Sequence, residues 1–85
     1  MTRSLFSPRH RRLCQLLRQA RNDAGLTQTQ LARKLRRPQS FVAKYEREER
    51  RLDVVEFLDV SSAMGADPFK ILQVIAKGAT ELPAR

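Results

Sequence analysis

The chain has little of what most enzymes and secreted scaffolds are built from. Its 85 residues include one cysteine, Cys14. One thiol forms no internal disulfide and makes a cysteine-rich metal site impossible, so a disulfide scaffold is excluded and a reducing, cytoplasmic setting is expected. The one histidine, His10, lies in an arginine-rich run without an obvious nucleophile or acid partner, and is expected on the surface. The three glycines, Gly25, Gly65 and Gly78, are too scattered for a phosphate-cradling loop. The chain therefore does not read as an enzyme, and no cofactor, metal or small-molecule ligand is called for. No run of about 18 apolar residues exists to cross a membrane. After Arg3 the only apolar residues before Ser7-Pro8 are Leu5 and Phe6, which make no signal-peptide core. No segment alternates at period two and no Asn-Gly or Asp-Gly turn occurs, so strands are not expected. A chain of this length fits one domain with one modest core.

What is present in excess is positive charge. The net charge is +8, and it is uneven: residues 1–51 carry +10 and residues 52–85 carry −2. A polyanion is the natural partner of such a basic part. The plainer alternative is an arginine-rich surface that serves only solubility. A membrane surface fits less well, because the basic part is not one long amphipathic helix with bulky aromatics.

Helix signals divide the chain. Ser7-Pro8 supplies a cap and a first-turn proline, and Leu13, Leu16, Leu17, Ala20 and Ala24 recur at helical spacing, which predicts helix 1 over 8–24, closed by Gly25. Thr27 with Gln30 is a capping box, and Leu31, Ala32 and Leu35 supply a stripe, giving helix 2 at about 28–36. Pro38 stops that helix and opens helix 3, to about Arg47, with Val42 and Tyr45 inward. Asp53 with Glu56 is a second capping box, before a helix 4 lined by Val55, Leu58, Ser62 and Met64 and ended by Gly65. Asp67-Pro68 starts helix 5, with Phe69, Leu72, Ile75 and Ala76 as its stripe and Gly78 as its end. Residues 1–7 read as an arm, 8–78 as the domain and 79–85 as a frayed tail.

The informative stretch is QTQLARKLRRPQSFVAKYE, Gln28 to Glu46. Two short helices joined tightly need a small residue where they touch, and Ala32 provides it. On helix 3, a step of about 100° per residue puts Gln39, Ser40, Ala43, Lys44 and Arg47 on the side away from Val42 and Tyr45. Amides, a hydroxyl and cations are the groups that read base edges: glutamine pairs with adenine, lysine reaches guanine O6 and N7, and an alanine methyl meets that of thymine. Phe41 lies at the edge of the inner face and is expected to be partly buried. Arg36 and Arg37 flank the helix within reach of phosphates. The bland reading is that all these are ordinary solvent-facing residues.

This stretch resembles the helix-turn-helix of the Cro/phage-repressor family, also called the xenobiotic-response-element family. The matching residues are Gly25-Leu26-Thr27-Gln28, Leu31-Ala32, Leu35, Pro38-Gln39-Ser40-Phe41-Val42, Lys44-Tyr45-Glu46 and Arg50-Arg51-Leu52-Asp53-Val54, and the likeness spans about residues 10–75. The resemblance implies an all-α bundle of four to five helices that binds double-stranded DNA as a repressor-like transcriptional regulator. It implies that the third helix is the recognition helix, with Gln39, Ser40 and Lys44 facing bases. It implies that Gln28 touches a phosphate and braces Gln39, that Arg50 and Arg51 approach the DNA backbone, and that Arg21 pairs with Glu46. Arg36 and Glu48 stand where many members have glycine. A non-glycine residue held left-handed costs about 1–2 kcal/mol, so the turns are expected to take other geometries, or helix 3 to run past Arg47.

Phe69, Ile71, Leu72, Val74 and Ile75 exceed what one inner stripe of helix 5 needs. A homodimer through that helix is expected, against the alternative that it only caps the core. A function of another class, an antitoxin or adaptor that binds a protein and binds DNA secondarily, stays open at this point.

Overall fold

A computed structural model describes residues 7–78. Apart from Ser7, the expected arm (1–7) and tail (79–85) lie outside the described residues. The fold is all-α: α1 (Pro8–Asp23), α2 (Gln28–Leu35), α3 (Gln39–Glu46), α4 (Val54–Met64) and α5 (Pro68–Gly78), with no strand among the described residues. No helix among them is long and apolar enough to cross a membrane.

Caps start the helices as the sequence predicts. Ser7 Oγ accepts from the His10 N–H at 3.1 Å. The Thr27 box closes with bonds of 3.0 and 2.9 Å, and the Asp53 box with 2.7 and 3.0 Å. Asp67 Oδ1 accepts from the Phe69 N–H at 2.9 Å. Pro38 differs from expectation. It is the extended residue before α3 (φ −62°, ψ 151°), not its first helical residue, and its carbonyl accepts from Phe41 at 2.9 Å.

Four helices end in one motif, in which a left-handed residue donates three residues back and the next residue donates five back. After α1 and α4 that residue is Gly25 (φ 73°) and Gly65 (φ 69°). After α2 it is Arg36 (φ 59°), donating to Arg33 at 3.1 Å while Arg37 donates to Ala32 at 3.0 Å. After α3 it is Glu48 (φ 68°), donating to Tyr45 at 3.1 Å while Glu49 donates to Lys44 at 2.8 Å. The expected evasions therefore do not occur. The turns stay left-handed without glycine, and α3 stops at Glu46, because the motif satisfies carbonyls at the helix end that other geometries leave open.

The core gathers Leu17 from α1, Leu31 and Ala32 from α2, Phe41, Val42 and Tyr45 from α3, Phe57, Val60 and Met64 from α4, and Ile71 from α5. Several expected faces rotate. His10 is not on the surface: it is buried with Cys14 and Leu17 on one side of α1, and its ring nitrogen lies 3.7 Å from Cys14 Sγ. Ala24 is exposed. On α4 the inward set is Phe57, Val60, Ser61 and Met64, while Val55 and Leu58 are exposed. On α5 it is Ile71 with Ile75 half-buried, while Phe69, Leu72 and Ala76 are exposed. Both helices carry apolar residues on more than one side, so periodicity permits two faces and docking against the other helices selects one.

Candidate nucleic-acid interface

α2 and α3 pack directly on each other, with Ala32 and Ala43 both buried. The helical step puts Ala43 outward with the polar residues; its burial corrects this and removes it from the set available to bases. What α3 shows to solvent is Gln39, Ser40 and Lys44, with Arg47 exposed just past its end. Eight residues at about 1.5 Å each make a rod about 12 Å long, which fits a major groove of about the same width.

α3 is fixed in place by Glu46, whose side chain is fully buried. Arg21 Nε donates to its Oε2 at 2.7 Å, and Arg21 Nη2 to its Oε1 at 3.0 Å. A third Arg21 donor, Nη1, reaches the Leu26 carbonyl at 2.8 Å. Arg18 adds a looser contact to Oε1 at 3.4 Å. Burial by itself pushes the Glu46 carboxyl up, but hydrogen bonds from Arg21, Gln28 and Arg18 outweigh it and hold the group below its ordinary value. The implied Arg21–Glu46 pair is thus present, and it ties α1 to α3.

Gln28, the first residue of α2, lies between that carboxylate and the recognition face. Its Nε2 donates to Glu46 Oε1 at 2.9 Å, and its Oε1 accepts from Gln39 Nε2 at 2.7 Å. The bracing of Gln39 by Gln28 is therefore present in the free protein.

The flanking cations are not equivalent. Arg36 and Arg51 are exposed. Arg50 is engaged inside the protein: its two terminal nitrogens each lie 2.9 Å from a Glu56 oxygen, and its guanidinium carbon is 4.8 Å from the Phe41 ring centre. Arg37 covers the same ring at 4.4 Å and approaches Glu56 at 3.3 Å. Arg50, with the Asp53 N–H, holds the Glu56 carboxyl down at about 2. Phe41 is thus buried beneath two guanidinium groups rather than at a free edge. The Glu56 bracket has no sequence signal beyond the capping box, because its partners lie on other elements. Arg47 pairs with Glu49 at 3.1 Å and Arg11 with Glu48 at 3.3 Å, so both extra acids beyond α3 have arginine partners.

The sequence matches the helix-turn-helix family over residues 17–71. No curated protein matches it. Among solved structures it is similar to an XRE-family like protein from Pseudomonas syringae pv. tomato str. DC3000, with 45% identity and a TM-score of 0.81 over 91% of this chain and 94% of that one. It is similar to the clp gene regulator ClgR from C. glutamicum, with 26% identity and a TM-score of 0.74 over 91% and 99% of the two chains. A mutant of the restriction–modification controller protein C.Esp1396I shares the fold at 18% identity, with a TM-score of 0.75 over 91% and 98%.

Proposed function

The chain belongs to the helix-turn-helix family in its XRE (Cro/C1) branch, a family of DNA-binding transcription regulators, and from that premise we propose that it is a repressor-like regulator that reads duplex sequence with the outer face of α3 in the major groove. The observation that supports this most is the exposure of Gln39, Ser40 and Lys44 on a helix whose opposite side is fixed by a buried ion pair. Gln39 and Ser40 take base edges, and Lys44 takes guanine O6 and N7. Gln28, Arg36, Arg37 and Arg51 take phosphates. Arg50 does so only by sharing its charge with Glu56, so its share in binding is the smallest of the basic set. The regulators named in the structural likenesses, one of clp genes and one of a restriction–modification system, favour the same class of role here. Two copies join through the exposed apolar side of α5 and place two α3 helices on inverted half-sites about 34–36 Å apart.

Base contacts set preference, and phosphate contacts set affinity and salt dependence. Sites are first selected from random duplex DNA. On the selected site, Gln39→Ala and Lys44→Ala are each expected to cost about 1–3 kcal/mol and to relax preference at particular positions. Arg51→Ala is expected to weaken all sequences alike and to lower the slope of log affinity against log salt by about one unit. Equal losses by Gln39→Ala on matched and scrambled duplexes would show that α3 is not the reader. An adaptor or antitoxin role, with DNA secondary, would then take precedence.

A further inference from the structure

Arg37 precedes α3 in the sequence and Arg50 follows it, yet both come to one place. Their guanidinium carbons lie 4.4 and 4.8 Å from the centre of the Phe41 ring. Phe41 belongs to α3, so this stacking keeps both cations beside the recognition helix whichever acceptor they use. The acceptor they use is Glu56, in the first turn of α4. Arg50 gives it both terminal nitrogens at 2.9 Å, and its Nη1 also reaches the Arg51 carbonyl at 2.9 Å. Arg37 gives Nη2 at 3.3 Å. The sequence neighbours of this pair, Arg36 and Arg51, are exposed and make no ion pair among the described residues. The cations around α3 are therefore of two kinds, free and held. The fork that Arg50 turns to Glu56 is the one that a phosphate takes, so offering it to DNA means withdrawing it from the carboxylate. The bonds from Arg50 and from the Asp53 N–H hold the Glu56 carboxyl down at about 2, so ordinary changes of pH do not release it.

We infer that Glu56 is a built-in competitor of the DNA backbone: it occupies Arg37 and Arg50 and so limits how tightly the chain holds duplex DNA of any sequence. This rests on the reading that the flanks of α3 meet phosphates, and it does not need α3 to read bases. Phosphate contacts carry no sequence information, and they supply essentially all of non-specific binding. A chain of net charge +8 gains from each of them on every wrong site as much as on the right one. The counter-charge keeps that general affinity low and leaves the outcome to the base contacts.

The full chain and its variants are titrated with the selected duplex and with a scrambled one over a range of salt. Glu56→Gln is the informative change, because glutamine three residues after Asp53 still completes the capping box while the charge is gone. It is expected to tighten both duplexes at low salt and to steepen log affinity against log salt by about one to two units. The affinity lost between about 50 and 200 mM salt then grows by about 3- to 12-fold. Asp59→Asn removes the same charge one turn further along α4, where the exposed carboxylate makes no ion pair among the described residues. It is expected to change the slope by less than about half a unit. A Glu56→Gln variant with the wild-type slope, or one that binds both duplexes more weakly, overturns the inference, since Glu56 would then not compete with DNA. An equal steepening by Asp59→Asn overturns it too, by making net charge alone the cause. If Glu56→Gln does not fold in a thermal melt, Arg50→Lys decides. Net charge is unchanged, but an ammonium cannot take the carboxylate through two parallel bonds, and the slope is expected to steepen by about half to one unit. An unchanged or shallower slope overturns the inference. Equal losses by Gln39→Ala on both duplexes bear on the α3 reading alone, because the scrambled duplex still reports the competition. If neither wild type nor Glu56→Gln binds any duplex at low salt, both readings fail.

Discussion

His10 and Cys14 sit one turn apart on α1, both buried. Burial pushes the His10 imidazole below its ordinary 6.5, Arg51 pushes it further down, and Glu48 partly opposes them. Burial, with Glu48 adding to it, also pushes the Cys14 thiol up to about 11, so this cysteine behaves as the small buried hydrophobe its position suggests. The histidine has a consequence for folding. Above pH 6.5 both folded and unfolded chains hold it neutral, and it contributes no pH dependence. Below that, the unfolded chain binds a proton that the folded chain resists, so stability falls as the pH falls. Glu46 and Glu56 are shifted down from an ordinary 4.5, so the stability they contribute is lost only below that pH. Between pH 7.5 and 5 the decline is therefore assigned to the only histidine of the chain. Urea unfolding over that range is expected to show a decline in the wild type and none in His10→Leu; a flat wild-type profile would contradict the burial of His10.

Among the elements, the loops that close α2 and α3 carry the unusual backbone. Arg36 and Glu48 hold φ of 59° and 68°, where a side chain costs about 1–2 kcal/mol. Glycine removes that strain but loses more entropy on folding, by about 0.5–1 kcal/mol. Arg36→Gly is therefore expected to stabilise the domain by about 0.5–1 kcal/mol in thermal melts. It removes an exposed cation beside α3, so affinity at low salt is expected to fall even as the melting temperature rises. Arg36→Ala, which keeps the strain and loses the cation, separates the effects: it is expected to fall in affinity without gaining stability. A destabilised Arg36→Gly would mean that the turn is not left-handed in solution. Glu48 is a less clean site, because its carboxylate also pairs with Arg11.

Across the whole molecule, the basic part and the exposed apolar part lie on different elements. α4 and α5 leave Val54 at 73%, Val55 at 65% and Phe69 at 72% exposure, with Leu72 and Val74 also open. Large apolar side chains left exposed in this number are the material of an association site or an aggregation risk. If two copies meet through α5, the wild type at tens of micromolar is expected to sediment as a dimer and Leu72→Asp as a monomer. The variant is expected to keep its hold on a single half-site and to lose the gain from a second one in register. A wild type that stays monomeric and binds a palindrome one to one would leave α5 as a cap on the core alone.

Much of this was legible in the sequence because its causes are local. Ser7, the Thr27 and Asp53 boxes and Asp67 start helices through bonds to residues two or three positions away, and such spacing is written in the chain. The charge division, the two short helices around Ala32 and the polar run Gln39, Ser40 and Lys44 are read in the same way, and with the resemblance they pointed to the fold and to DNA. The tertiary structure decided what depends on distant neighbours. It chose Phe57 and Met64 over Val55 and Leu58, buried His10 and Ala43, and put Arg50 onto Glu56 and Phe41. It also kept Arg36 and Glu48 left-handed, because the carbonyls their turns satisfy belong to helices whose ends are set by packing. A period of 3.6 residues says that a helix has faces, and only the helices packed around it determine which face is inside.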